Sequence, residues 1–151
     1  IAAGGIGDAR GFIAALALGA EGVLMGTRFL ASKECKVHPK IKEWLLQLGE
    51  TDTMMIQRSI KNVMRVVKTD YAQRVLEMEE KGATLEELLP LISGEKMRKA
   101  YNSGDVSDTV ITVGQVVGLI HKISSVKEII EDIVNEAKFI AQRLQNMGIH
   151  S

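Results

Sequence analysis

Residues 1–30 read IAAGGIGDARGFIAALALGAEGVLMGTRFL, and this stretch decides the fold. Its first three residues are small and apolar and run into a glycine pair, which is typical of the end of a buried strand. Asp8 is placed to cap a helix that covers residues 11–18 and ends at Gly19. A second short apolar stretch, GVLM at 22–25, precedes Gly26. Two parallel strands joined by a helix form a βαβ unit, so we predict an α/β fold with a glycine turn after each strand.

The two glycine turns are the candidate binding site. Because glycine has no Cβ, the backbone at Gly4, Gly5 and Gly26 can approach an anion closely and direct N–H groups at it. Two such turns on adjacent strands can hold one phosphate from both sides, and a phosphate site of this form recurs after strands seven and eight of TIM barrels. The alternative is that these glycines only make tight turns, and the pattern alone leaves both interpretations open.

Several motifs of the chain resemble one family of flavoenzymes. AAGGI, DARG, ALALGAEGV and MGTRFL in the first thirty residues are similar to the FMN-binding half of the nitronate monooxygenases, formerly 2-nitropropane dioxygenases. The related flavin-dependent enoyl-ACP reductases share these motifs. The likeness continues at Glu34, at His38 and Pro39, at VMRVVK (63–68), at GDV (104–106), and at GQ and GLI between residues 114 and 120. It therefore covers most of the chain.

The resemblance implies a TIM barrel in which the two strands are the seventh and the eighth. It implies FMN as the cofactor, with its phosphate held by the backbone of Gly4, Gly5, Met25, Gly26 and Thr27 and by the Thr27 hydroxyl. The implied reaction is the oxidation of an alkyl nitronate by flavin and O₂, or of a nitroalkane that is first deprotonated. The implied alternative is an enoyl-ACP reductase, in which NAD(P)H reduces FMN and the flavin reduces an enoyl thioester.

The chain is short for the fold that it resembles. It has 151 residues, whereas a (β/α)8 barrel needs about 250. Because it lacks an initiator Met and opens inside a strand, we expect a carboxy-terminal fragment of a longer flavoenzyme, inactive by itself. The family's catalytic His belongs to the amino-terminal part, and His38, His121 and His150 do not lie in that motif. We therefore expect no catalytic residue in this chain.

Composition argues against several classes of protein. Lys plus Arg and Asp plus Glu both number 19, and a net charge of zero argues against a nucleic-acid or anionic-membrane partner. The apolar run at residues 12–20 is too short to span a bilayer, and no signal peptide is visible. The single cysteine, Cys35, fits a reducing compartment, so we expect a cytoplasmic protein. No His and Asn support Cys35 as a nucleophile, and no second ligand at metal spacing accompanies His38.

We divide the chain into three regions. Residues 1–36 are the last βαβ unit, residues 37–108 a lid-like and mostly helical insertion, and residues 109–151 helices that pack on the barrel. In the insertion, the pattern predicts helices at 41–48, 70–81, from residue 84 onward and at 95–101. Thr84 and Glu87 form a capping box, and Pro90 ends or kinks that helix. Residues 53–56 and 63–67 favour strands because they are β-branched or long and apolar.

Some side chains of the insertion carry two interpretations. A basic cluster could face an anionic substrate or a cofactor phosphate, although a solvated face is favoured. Its members are Arg58, Lys61, Arg65 and Lys68. Three methionines, Met54, Met55 and Met64, are candidate walls of a pocket. Core packing is the favoured interpretation for them. Arg28 is interpreted as a surface or interface cation, and Tyr101 as a half-buried structural residue.

The last region is predicted to contain two helices. Residues 112–120, TVGQVVGLI, form an apolar helix in which Gly114 and Gly118 leave one face open to close packing. Gln115 in its middle is either a flavin contact or a satisfied buried amide. Residues 125–147 form an amphipathic helix, which begins with a capping box of Ser125 and Glu128 and ends before Gly148.

An alternative hypothesis is that the chain is not part of an enzyme but a helical module that oligomerises. Without the other barrel strands, the edges of residues 1–3 and 22–25 are unpaired, and such edges recruit another chain. We therefore expect the isolated chain to self-associate.

Overall fold

The computed structural model describes residues 1–148, and its amino-terminal part is the predicted βαβ unit. Strands β1 (Ala2–Ala3) and β2 (Val23–Leu24) pair in parallel, with Ala2 opposite Val23 and Ala3 opposite Leu24. Helix α1 (Ala9–Ala17) connects them. Asp8 caps it, because its Oδ1 accepts from the N–H groups of Arg10 at 3.0 Å and Gly11 at 3.1 Å. Each strand is thus followed directly by its glycine turn.

The middle of the chain combines short helices with a hairpin. Helix α2 (Thr27–Leu30) follows the second glycine turn, and α3 (Pro39–Leu45) begins after His38, whose Nδ1 accepts from the Lys40 N–H at 3.3 Å. Strands β3 (Thr53–Ile56) and β4 (Met64–Val67) form at the two stretches predicted to favour strand, and they pair as an antiparallel hairpin. Helices α4 (Asp70–Glu80), α5 (Leu85–Ile92) and α6 (Gly94–Ser103) come next. The capping box at Thr84 and Glu87 is present, but α5 continues through Pro90 to its end two residues later.

The predicted helix at residues 112–120 does not form. The chain is extended up to Val113 and pairs with β4: the Val67 N–H donates to the Ile111 carbonyl at 2.9 Å, and the Val113 N–H to the Arg65 carbonyl at 3.2 Å. Only Gln115–Leu119 is helical, as a single 3₁₀ segment. The physical reason is that residues 110–113 are all β-branched and fit a pleated ladder, while Gly114 interrupts any continuous helix.

This extended stretch separates two apolar cores. Neighbouring residues of a strand point to opposite sides, so Val67, Ile111 and Val113 enter one core while Val66 and Val110 enter the other. The first core is completed by α3, α6 and the 3₁₀ segment, through Val37, Ile41, Leu45, Ala100 and Val117. The second is completed by the hairpin and by α4 and α5, through Ile56, Tyr71, Ala72, Val75 and Leu88.

The favoured interpretations of most insertion side chains agree with the structure. Met54 and Met64 pack against the second core, and Tyr101 is half-buried against the first. Three members of the basic cluster are exposed, namely Arg58, Lys61 and Lys68. The fourth, Arg65, donates from Nη1 to the Thr53 hydroxyl at 3.0 Å.

The last helix, α7 (Val126–Asn146), packs against α1. Its capping box forms as predicted, but only Ile129, Ile133 and Ala137 of its apolar stripe are buried. Other large apolar side chains of α7 remain exposed, with Phe139 exposed to 68%. No helix within residues 1–148 is long and apolar enough to cross a membrane. His150 and the end of the predicted third region lie outside the described residues.

Candidate cofactor-binding site

The two glycine turns leave the sheet side by side. Ala3 is paired with Leu24, so Gly4 and Met25 are the next residues beyond the last rung of a parallel ladder. Gly4 has a φ of 83° and Gly5 a φ of 72°. These left-handed conformations favour glycine over any residue with a Cβ. The structure therefore brings both predicted turns together at the carboxyl ends of the two parallel strands.

The main-chain donors of both turns are available to a ligand. Within residues 1–148, the N–H groups of Gly5, Gly26 and Thr27 have no protein acceptor, whereas the parallel pairing of Ala3 with Leu24 engages the N–H of Gly4 or of Met25. A Cβ added at Gly4, Gly5 or Gly26 would meet no atom within 4 Å. Unpaired amides in turns whose glycines border open space fit the phosphate of FMN, because an anion satisfies donors that otherwise need water.

The first helical turn of α1 offers a phosphate fewer free N–H groups than the sequence suggests. The Asp8 carboxylate already takes the N–H groups of Arg10 and Gly11. Partial burial opposes ionisation of Asp8, but the bonds from Arg10 and from the Gly11 N–H outweigh it and lower the pKa of Asp8. The Arg10 guanidinium also pairs with this carboxylate at 2.6 Å, which offsets its charge. A phosphate would therefore rely on the amides of the turns.

Thr27 has a partner that sequence reasoning missed. Its Oγ1 accepts from the N–H of Gly114 at 2.8 Å. A hydroxyl has one donor and two acceptor lone pairs, so the Thr27 O–H remains able to donate to a phosphate. The two residues are 87 positions apart in the chain, and no local pattern signals the contact.

Arg28 is buried, which corrects its interpretation as a surface or interface cation. Only 9% of the residue is exposed. Burial lowers the pKa of Arg28, while the carboxylates of Asp132 and Asp8 oppose this shift. The residue lies in the four-residue helix α2 next to the second turn, where its aliphatic stem can pack while its charge stays close to two acidic groups.

The two turns line different cavities. Gly5 contributes to a cavity of about 400 Å³ whose walls are Glu50, Gln115, Val116, Gly118 and Leu119. Gly26 contributes to a second cavity of about 420 Å³, together with Phe29, Leu30, Ser32, Glu34, Cys35 and Val126. Gln115 is exposed, so it is not the satisfied buried amide that the sequence left as an alternative. Glu50 was not singled out by the sequence, because a lone carboxylate in a turn gives no signal.

One family model and several curated relatives match most of the chain. The family model described as nitronate monooxygenase matches residues 1–136. A protein of Staphylococcus saprophyticus named probable nitronate monooxygenase is 31% identical over 143 residues, which are 95% of this chain and 40% of that protein. A nitronate monooxygenase of Neurospora crassa is 29% identical, over 96% of this chain and 39% of that protein.

A solved structure shows the same fold. The structure of FabK from Thermotoga maritima superposes with a TM-score of 0.86 at 42% identity, over 96% of this chain and 46% of that one. The chain thus matches part of the fold of FabK. It spans less than half of the length of each of these relatives.

Proposed function

Because the chain belongs to the nitronate monooxygenase family, we propose that it is the phosphate-anchoring part of an FMN-dependent oxidoreductase. The observation that carries this proposal is the pair of adjacent turns in which, within residues 1–148, the amides of Gly5, Gly26 and Thr27 have no protein acceptor and the glycines border open space. When bound, FMN supplies the redox chemistry of its isoalloxazine ring. The residues of this chain bind and orient it through Gly4, Gly5, Met25, Gly26 and Thr27.

The proposal extends to the architecture of the whole protein. Strands β1 and β2 would be the seventh and eighth strands of a TIM barrel, residues 37–108 a lid over its mouth, and α7 part of its outer layer. The sheet has only these two strands, so both of its edges are open, and open edges are consistent with such neighbours because their N–H and C=O groups can pair with further strands. The catalytic His and most contacts to the flavin ring would lie in the amino-terminal part of the protein.

The first candidate reaction is the oxidation of alkyl nitronates by flavin and O₂. It is supported by the family match and by the two nitronate monooxygenases that align with nearly all of the chain. The second candidate is a flavin-dependent enoyl-ACP reductase, in which NAD(P)H reduces FMN and FMN reduces an enoyl thioester. The 42% identity to FabK favours it.

Steady-state assays of the full-length protein distinguish the two reactions. A nitronate monooxygenase consumes O₂ in the presence of an alkyl nitronate and without NAD(P)H. An enoyl-ACP reductase oxidises NAD(P)H only when an enoyl thioester is present. If the full-length protein turns over neither the nitronate nor the enoyl thioester, both candidates are contradicted.

The phosphate site is tested by titrating the full-length protein with FMN and with riboflavin. We expect saturable binding of FMN. Gly26→Val should weaken FMN binding by at least about tenfold, since branched bulk beside the turn keeps a phosphate from its amides. Riboflavin, which has no phosphate, should bind both proteins equally. Gly22→Val is the matched control, because Gly22 lies at the opposite end of β2 and also faces open space. Unchanged FMN affinity in Gly26→Val would refute the site.

A further inference from the structure

The residues that follow both glycine turns contact one element, the 3₁₀ segment Gln115–Leu119 and the Gly114 before it. Two residues after the first turn, Gly7 packs so closely that a Cβ added there would lie 3.1 Å from the Cβ of Val116. From the second turn, Thr27 accepts the Gly114 N–H at 2.8 Å. Helix α2 also packs against the segment. The candidate phosphate site is therefore backed by this segment at two points.

The same segment reaches the lid region on its other side. A Cβ on Gly118 would lie 2.7 Å from the main-chain nitrogen of Glu50, so the two backbones are in direct contact. Upstream, the Val113 N–H donates to the Arg65 carbonyl of β4 at 3.2 Å. Gln115 and Glu50 are both walls of the cavity beside Gly5. The segment thus connects the turns to the polar groups of that cavity.

We propose that Thr27 is a positioning residue that couples phosphate binding to the placement of this segment. Its O–H donates to the cofactor phosphate while its Oγ1 accepts from Gly114, so one side chain joins the ligand to the segment. This role rests on the proposed function. It adds to that function an effect of phosphate binding on the cavity beside Gly5. When phosphate is bound, Gln115 and, through Gly118, the main chain of Glu50 are held in their positions beside Gly5.

The chemistry of a hydroxyl supports this coupling. When its proton is donated to a dianion, the oxygen becomes a stronger acceptor, because hydrogen bonds in a chain polarise one another. The bond to the Gly114 N–H is then strengthened by the ligand. Without phosphate, the same bond is an ordinary neutral one, which contributes little net stability.

The experiment uses the full-length protein and three forms of residue 27. Affinities for FMN and riboflavin are measured together with the amide exchange of residues 114–119. We expect FMN to slow this exchange in the wild type by about tenfold or more, and riboflavin to leave it nearly unchanged. Thr27→Val should lower FMN affinity by about tenfold or more, leave riboflavin affinity unchanged and abolish the protection even at saturating FMN. Thr27→Ser keeps the hydroxyl and should keep both properties.

The outcomes separate this role from the proposed function. If the wild type does not bind FMN, the proposed function and the role of Thr27 both fail. If the wild type binds FMN but Thr27→Val retains its affinity or the protection, only the role of Thr27 is wrong. The wild-type comparison needs no variant to fold, since equal protection by FMN and riboflavin would overturn the coupling by itself.

Discussion

Gly118 is the position at which the backbone of the 3₁₀ segment leaves no room for a side chain. An added Cβ would lie 2.7 Å from the nitrogen of Glu50 and 3.2 Å from the carbonyl carbon of Gly49. Both are backbone atoms, so the clash is relieved only if one of the two segments moves. Close backbone contact therefore requires glycine here.

We predict that Gly118→Ala destabilises the full-length protein by about 1–3 kcal/mol, as overpacking of a fitted contact does. Gly114→Ala is the matched control, because its Cβ would lie 3.6 Å from the Thr27 Oγ1, which is an ordinary contact. Thermal or denaturant unfolding of the two variants provides the measurement. If the Gly118→Ala and Gly114→Ala variants are equally stable, the backbone at Gly118 can accommodate a Cβ without loss of stability, and the prediction is wrong.

Glu128 makes the stability of the α7 terminus depend on pH. Its carboxylate accepts from the N–H and hydroxyl of Ser125 and pairs with Lys33, and these contacts lower its pKa from 4.5 to about 2. The native state favours the ionised form, so this contribution is complete above the unfolded-state pKa and is lost as pH falls through the folded-state value.

The test is a comparison of the wild type with Glu128→Gln by thermal unfolding. We expect the wild type to be more stable at neutral pH and the difference to shrink as pH falls from about 4.5 to about 2. Glu131→Gln, which removes another exposed carboxylate of α7, is the control for the loss of one surface charge. A difference that stays constant over this range would contradict the assignment.

At the scale of elements, the β3–β4 hairpin is tied to α4 by one buried carboxylate. Glu79 accepts from the Gln57 N–H at 2.6 Å, from the Ser59 N–H at 3.2 Å and from the Ser59 hydroxyl at 2.9 Å. Gln57 has a φ of 64° and is almost fully buried, so the turn is held in a left-handed conformation by its surroundings. The carboxylate supplies the acceptors that this turn needs.

We predict that Glu79→Gln destabilises the protein by about 2 kcal/mol, because one charged acceptor is replaced by an amide donor that faces other donors. Glu80→Gln, at the next and exposed position of α4, should stay within about 0.5 kcal/mol of the wild type. Chemical denaturation of both variants measures the difference. Similar midpoints for the two would mean that the hairpin does not depend on Glu79.

The elements show where sequence patterns are sufficient. The βαβ unit and α7 were predictable because caps, glycine stops and apolar periodicity agree in those stretches. Strands β3 and β4 were predictable from their β-branched and long apolar residues, but their pairing was not. The helix predicted at 112–120 failed because its pattern combines β-branched residues with two glycines, and the pairing of residues 110–113 with β4 decides the outcome. That pairing joins residues far apart in the chain, which no local pattern reports.

For the candidate site, the glycine turns could be predicted from local signals and the surroundings could not. The positions of Gly4, Gly5 and Gly26 follow from strand ends that the sequence marks. The contact of Thr27 with Gly114, the burial of Arg28 and the approach of Glu50 to Gly118 depend on tertiary packing. The ligand assignment stays a prediction until FMN binding is measured.

At the scale of the whole molecule, the surface of the isolated chain is unusually apolar in places. Leu18 is exposed to 89%, Leu24 to 62% and Phe139 to 68%. Patches of this kind, together with two-residue strands that have open edges, favour association with another chain. In the full-length protein we propose that the remaining barrel covers them.

We predict that the isolated chain self-associates in a concentration-dependent way. Sedimentation velocity over a range of concentrations measures this, and Phe139→Glu should shift the equilibrium towards monomer because it replaces an exposed apolar side chain with a charged one. Lys138→Glu, which alters charge at an exposed neighbour, is the control for charge alone. A clean monomer at high concentration would contradict the prediction.

The extended stretch at residues 110–113 has a consequence for how the protein tolerates change in length. Its side chains alternate between the two cores, so a single inserted residue there would turn every later side chain of the stretch to the opposite side. Both cores would lose their lining in one step. An insertion between residues 107 and 108, which are exposed and precede the stretch, would leave this alternation intact. Natural variation in length should therefore collect before residue 109 and be rare between 110 and 113.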